Sequence, residues 1–284
     1  MTADALAAYS VRKLAARAAT VLCSLAVLIA FVPLLAILFY IGKRGLGALS
    51  VSFFTELPRP VGEHGGGMAN AIVGTLELVG LASAVGIPIG IAAGLFLAEY
   101  RTTLLARVVR FSADVLAGVP SILVGVVVYA TIVVRVKHFS TFAGAGALAV
   151  LMLPLVARTT DELARTVPDS LREAALALGA SRWRIAIHVV LRTAAPGIRA
   201  GCMLAVARVS GETAPLLFTA FNNRFWNESF SDPTSSLQVQ IFTYTMSPYD
   251  DWHAQAWAAA LVLVAIVVVL NVAARRVLRG PKAA

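Results

Sequence analysis

The chain has 284 residues, of which 59% are hydrophobic and only 14% charged, and that balance excludes an ordinary soluble domain. Its formal charge of +9 does not form a nucleic-acid patch. The basic residues gather instead at alternate ends of apolar runs, which is the positive-inside pattern of a membrane protein.

A bilayer core of about 30 Å is crossed by roughly 20 apolar residues in helical form. Six runs meet that requirement: 20–41, 70–98, 113–134, 141–157, 197–221 and 255–273. The prediction is an all-α integral membrane protein with six transmembrane helices and no separate soluble domain. Arg12, Lys13 and Arg17 precede the first run, and Arg101, Arg107 and Arg110 follow the second. Arg158, Arg165, Arg172, Arg182, Arg184 and Arg192 follow the fourth, and Arg275, Arg276, Arg279 and Lys282 follow the sixth. These groups place both termini in the cytoplasm. The opposite loops balance Lys43, Arg44, Arg59, Arg135, Lys137 and Arg224 against Glu56, Glu63, Glu228, Asp232, Asp250 and Asp251. Arg135 and Lys137 fit this topology least well.

The first run exceeds the length of a signal-peptide core and lacks a small-residue cleavage site, so it reads as a retained helix. Residues 42–69 form a Gly- and Pro-rich outer loop. The second run carries Gly86, Pro88, Gly90 and Gly94, small residues that permit close helix approach and a bend. Glu77 lies near its start, either facing a pathway or at the outer interface. The third run contains Gly118-Val-Pro120-Ser121, a predicted kink or break.

The cytoplasmic segment 161–196 differs from its surroundings. Pro168 or Asp169 opens a helix, Ser170 and Glu173 have capping-box spacing, and Gly179 is a C-cap signal. Leu171, Ala174, Ala175 and Leu178 form an apolar face, and Ser181 caps a second helix over 182–191. Two readings stand for this pair: amphipathic helices resting on lipid, or a docking element.

The fifth run holds Arg208-Val-Ser210-Gly-Glu212-Thr213-Ala-Pro215. An ionised side chain at bilayer depth costs roughly 2.5–3.5 kcal/mol, so a charged pair there faces a bundle interior or a pathway. Arg208 and Glu212 are four residues apart and on a helix share one face. They form either a transport site or a buried pair that fixes helix register. Ser210, Thr213 and Thr219 are hydroxyl donors for the site or helix-packing residues. Pro215 removes a backbone donor, giving a kink that is either a gate or a plain bend. In the last outer loop, 222–254, Trp226, Tyr244, Tyr249 and Trp252 suit an interfacial belt, and 237–244 suits a helix on the membrane surface.

No G-x-x-x-x-G-K-[ST] loop is present, so the chain is not an ATPase, and no catalytic or metal-ligand constellation stands out. His64, His138, His188 and His253 are scattered, and Cys23 and Cys202 read as packing residues.

Glu173-Ala174-Ala175 followed by Gly179 resembles the EAA loop of bacterial ABC importer permeases. The run Gly211-Glu212-Thr213-Ala-Pro215-Leu-Leu-Phe-Thr resembles the signature of the PstA-type permeases of phosphate importers. Residues 65–75, 94–100, 116–121, Pro154 with Arg158-Thr-Thr, and 237–241 match as well. The resemblance implies a type I ABC importer permease fold, with a permease core over 65–275. Residues 1–64 precede it with a cytoplasmic tail, the first helix and an outer loop, and 276–284 form a cytoplasmic tail. The coupling helices, at about 161–192, dock on the ATPase through Glu173, Ala174, Ala175 and Gly179. The EAA loop usually closes with Leu-Pro, whereas Leu191 here precedes Arg192, which implies that the second helix runs on further.

By this resemblance the chain is the phosphate transport permease of an ABC transporter in the cell inner membrane. Its implied partners are a PstC-like permease, a PstB-like ATPase dimer and a PstS-like phosphate-binding protein. The chain itself binds no cofactor, and ATP and Mg are used by the ATPase. Arg208, Glu212, Ser210 and Thr213 form the expected pathway for inorganic phosphate, with Pro215 and Pro120 as gating or kink positions. Arg208 presents paired N–H groups to phosphate oxygens, and Glu212 is its counter-ion in the empty state. The alternatives are a permease for another oxyanion, such as sulfate or molybdate, and a membrane subunit acting mainly in phosphate signalling.

Overall fold

A computed structural model describes residues 3–63 and 65–277, with side chains over 12–63 and 65–272. His64 and the side chains of Arg275, Arg276, Arg279 and Lys282 lie outside the described residues. The described elements are all helical. In chain order they are α1 (Ala3–Ala48), α2 (Val51–Thr55), α3 (Ala69–Glu99) and α4 (Leu104–Gly118). Next comes α5 (Ser121–Val128), which passes through a π-helical turn, Tyr129–Val133, into α6 (Val134–Val136). Then follow α7 (Thr141–Arg165), α8 (Asp169–Ala177) and α9 (Arg182–Ile185). A second π-helical turn, Ala186–Val190, joins α9 to α10 (Leu191–Val209), and α11 (Ala214–Thr219), α12 (Leu237–Thr245) and α13 (Asp250–Val277) complete the chain.

Five helices are long and apolar enough to cross a bilayer, and α4 with the arm Ser121–Val136 makes a sixth when the bent pair is counted as one span. The bend is 106° and has a local cause. Proline drives its preceding residue out of the helical region, and Val119 accordingly sits at φ −71°, ψ 130°. α4 therefore ends at Gly118, and Pro120 caps the restart. The predicted third run, 113–134, is in this sense two elements meeting at an angle.

The centre of the bundle is the α3–α7 pair, with α10 packed on α7. Lipid tails are as apolar as leucine, so helices in a bilayer associate by close packing and not by exclusion from water. Gly86, Gly90 and Gly94 lie one helical turn apart along α3, against Met152, Val156 and Thr160 of α7. A Cβ on Gly94 would stand 2.6 Å from the Ala157 carbonyl oxygen, so only glycine allows this approach. A second cluster joins Phe53, Met68, Leu237, Tyr244 and Ala259 at the opposite end from the arginines. α1 packs along α13, with Tyr40 edge-on to Trp257, and the most apolar stretch of α1 is wholly exposed.

Two loop expectations are corrected. α12 does not lie on a surface: Leu237, Gln238, Val239 and Gln240 are all buried. Its polar side chains go inside because partners wait there, Asn222 donating to Gln240 at 3.0 Å and the Ser210 carbonyl receiving Gln238. Tyr244 is likewise buried and stacks on Trp252 at 4.3 Å, while Trp226 remains exposed.

Candidate functional site

The charged turn is a break in the helix and not a continuous face. α10 ends at Val209, Ser210–Thr213 form a tight turn, and the chain resumes as α11. Two features cause this. Pro215 has no N–H to offer the Gly211 carbonyl, and it stands in the first turn of α11, where that loss costs nothing. The Ser210 carbonyl is claimed by the Gln238 amide of α12, whose oxygen in turn receives the Thr75 hydroxyl at 3.4 Å. The expectation that Arg208 and Glu212 share one helical face is thus overturned, and among the described residues no ion pair joins them.

Both residues nevertheless line one cavity of about 400 Å³. Its walls are the α4–α5 bend, with Pro120 and Ser121; α7, with Pro154, Arg158, Thr159 and Glu162; and the break itself, with Arg208 and Glu212. Two arginines and two glutamates therefore face one space. Arg208 is exposed and Glu212 half-buried, and Arg158 lies 3.5 Å from Asp114 of α4. Arg158 and Glu162 sit just past the apolar run, where charge in a sequence reads as flanking rather than as part of a site. Their four-residue spacing, one turn beyond Pro154, was the available signal.

The other site residues separate by role. Ser210 and Thr219 are buried and donate to Val206 and Pro215 carbonyls at 2.7 and 2.8 Å, so their hydroxyls are spent on the backbone. Thr213 is half-buried and precedes α11 without a side-chain cap. Glu77 accepts from Asn227 of the 222–236 loop at 3.0 Å, which places it at the end away from the arginines. Cys202 is buried and Cys23 exposed, both free, and no metal-ligand group occurs among the described residues.

At the arginine-rich end, α8 starts after Pro168, not at a Ser170 capping box. It stops as its sequence dictates. Gly179 adopts φ +80°, and the Gly179 and Ala180 amides donate to Leu176 and Ala175 carbonyls at 2.9 and 3.1 Å, a Schellman cap. Glu173, Ala174 and Gly179 are exposed and Ala175 half-buried; Leu178 is 89% exposed. The helix over 182–191 is not a separate element but the start of one crossing, Arg182–Val209, as the Leu191-Arg192 departure implied. Beneath α8 lies an ion-pair network. Arg165 holds the buried Asp161 through two bonds of 2.8 and 2.7 Å, Arg110 reaches it at 3.2 Å, and Arg172 pairs with Glu99.

A helical membrane bundle with a charged cavity at a broken helix and an exposed helix on its arginine-rich face defines a transport component. The chain resembles the MetNI methionine ABC transporter in an inward-facing conformation, with a TM-score of 0.62 at 22% identity over 75% of this chain and 96% of that one. It also resembles an amino acid ABC transporter, with a TM-score of 0.51 at 17% identity over 73% and 88%. The fold is that of type I ABC importer permeases. Residues 86–282 match the family described as binding-protein-dependent transport system inner membrane component. The phosphate transport system permease protein PstA of Yersinia pestis is 45% identical over 91% of this chain and 88% of its own length. That of Haemophilus influenzae is 45% identical over 84% and 85%, and PstA 1 of Mycobacterium tuberculosis 38% over 87% and 82%. The chain belongs to the binding-protein-dependent transport permease family, on its PstA branch. It is a multi-pass inner-membrane permease component and not an enzyme.

Proposed function

We propose that this chain forms half of the translocation pathway of an ATP-driven importer of inorganic phosphate. It would pair with a PstC-like permease, dock on a PstB-like ATPase dimer that uses ATP and Mg, and receive phosphate from a PstS-like binding protein, with both its termini in the cytoplasm. The observation that carries the reading is the cavity shared by Arg158, Arg208, Glu162 and Glu212.

Two guanidinium forks supply the N–H groups that replace water around a phosphate dianion. The two carboxylates offset their charge, so the site holds the anion weakly enough to release it. At neutral pH a phosphate keeps at least one hydroxyl, which donates to a carboxylate, whereas sulfate and molybdate carry none. Acceptors beside the arginines therefore favour phosphate. Arg158 rests on Asp114 and exchanges that partner for the anion. Glu173, Ala174, Ala175 and Gly179 make the ATPase contact, and the Pro120 and Pro215 breaks permit the cavity walls to move.

The test is ATP-dependent uptake of radiolabelled phosphate into proteoliposomes holding all four component types. Uptake resistant to excess sulfate and molybdate is the expected result. Uptake of either competitor in place of phosphate would overturn the substrate assignment.

A further inference from the structure

α8 touches the bundle at few points. Of its nine residues, Arg172 and Ala175 alone are turned inward, and the rest are exposed. The Arg172 side chain is 11% exposed and reaches past α8 into the membrane-spanning helices. One terminal nitrogen pairs with Glu99 at the end of α3, and the other donates to the Ala164 carbonyl of α7 at 2.7 Å. A pocket of about 160 Å³ beside this pair is also lined by Arg182, the first residue of the crossing Arg182–Val209, whose last turn carries Arg208. Ala164 lies two residues beyond Glu162, on the helix that carries Arg158.

We propose that Arg172 is the positioning residue through which movement of α8 reaches the cavity walls, by fastening α8 to the ends of α3 and α7. The inference rests on the reading of α8 as the ATPase contact. Either side of the pair the connections are short turns, 166–168 and 178–181. Without the fork, α8 remains folded, because its C-cap is independent of Arg172, but Ala175 is then its one inward contact and it shifts on those connections. ATP hydrolysis then proceeds without driving the bundle.

The experiment measures phosphate transported per ATP hydrolysed in the four-component proteoliposome. Arg172→Met and Glu99→Gln should keep the ATPase bound and hydrolysing while the ratio falls about tenfold, near the upper range for single coupling residues. A general loss of structure lowers both rates together and leaves the ratio unchanged. The charge-reversed pair, Arg172→Glu with Glu99→Arg, should recover the ratio to within about threefold. A wild-type ratio in Arg172→Met overturns the link, as does release of the ATPase from that variant, or no recovery in the reversed pair. Leu178→Asp, on the exposed face, separates the two readings. It should release the ATPase; if the ATPase stays bound and coupled, the docking reading fails and the link with it.

Discussion

Arg208 and Glu212 were legible because two full charges inside an apolar run are expensive and therefore purposeful. What the sequence did not disclose is that they line one cavity across a break, with Arg158 and Glu162 on its α7 wall. That partnership depends on α7 lying beside α10, a tertiary fact absent from local spacing. If the carboxylates read the hydroxyl of phosphate, Glu212→Gln should weaken discrimination between phosphate and sulfate by about tenfold or more, the worth of one hydrogen bond to a charged group. Competition uptake measures it, and unchanged selectivity would remove Glu212 from the recognition role.

At the scale of elements, helix ends marked by glycine and proline were readable and those set by distant partners were not. The α4–α5 bend follows from Pro120, and the α8 terminus from Gly179. The break after Val209 has two causes, and only Pro215 shows in the run itself; the other, Gln238, lies in α12, twenty-eight residues beyond Ser210. For the same reason α12 looked like a surface helix: its two glutamines are polar in sequence, but their partners are internal. Gly179 yields a sharp prediction. Its φ of +80° costs a residue with a Cβ roughly 1–2 kcal/mol, more if β-branched. Gly179→Val should redirect the turn after α8 and lower phosphate moved per ATP, without preventing membrane insertion. A wild-type ratio would show that the turn tolerates another path.

For the whole molecule, length and hydropathy located the long helices, though the fifth run, 197–221, is displaced against the crossing Arg182–Val209 and the third is bent at Pro120; the glycines of α3 hinted at the contact that centres the bundle. Their partners on α7, Met152, Val156 and Thr160, carry no mark in the sequence. Gly94→Leu forces a side chain against Thr160 and the Ala157 carbonyl, and overpacking of this kind costs typically 1–3 kcal/mol, so about that loss is expected. Thermal unfolding in detergent should show the drop, while the same change at Gly80, where nothing lies within 4 Å, should be nearly neutral. Equal stability of the two variants would contradict the packing account.

If the cavity at the broken crossing carries the anion, uptake requires Arg208. ATP-dependent phosphate uptake by the full four-component complex, wild type against Arg208→Gln, tests it most directly. The variant is expected to assemble and bind its ATPase but to accumulate no phosphate. Uptake at the wild-type rate would contradict it, leaving Arg208 a structural charge and placing the pathway elsewhere.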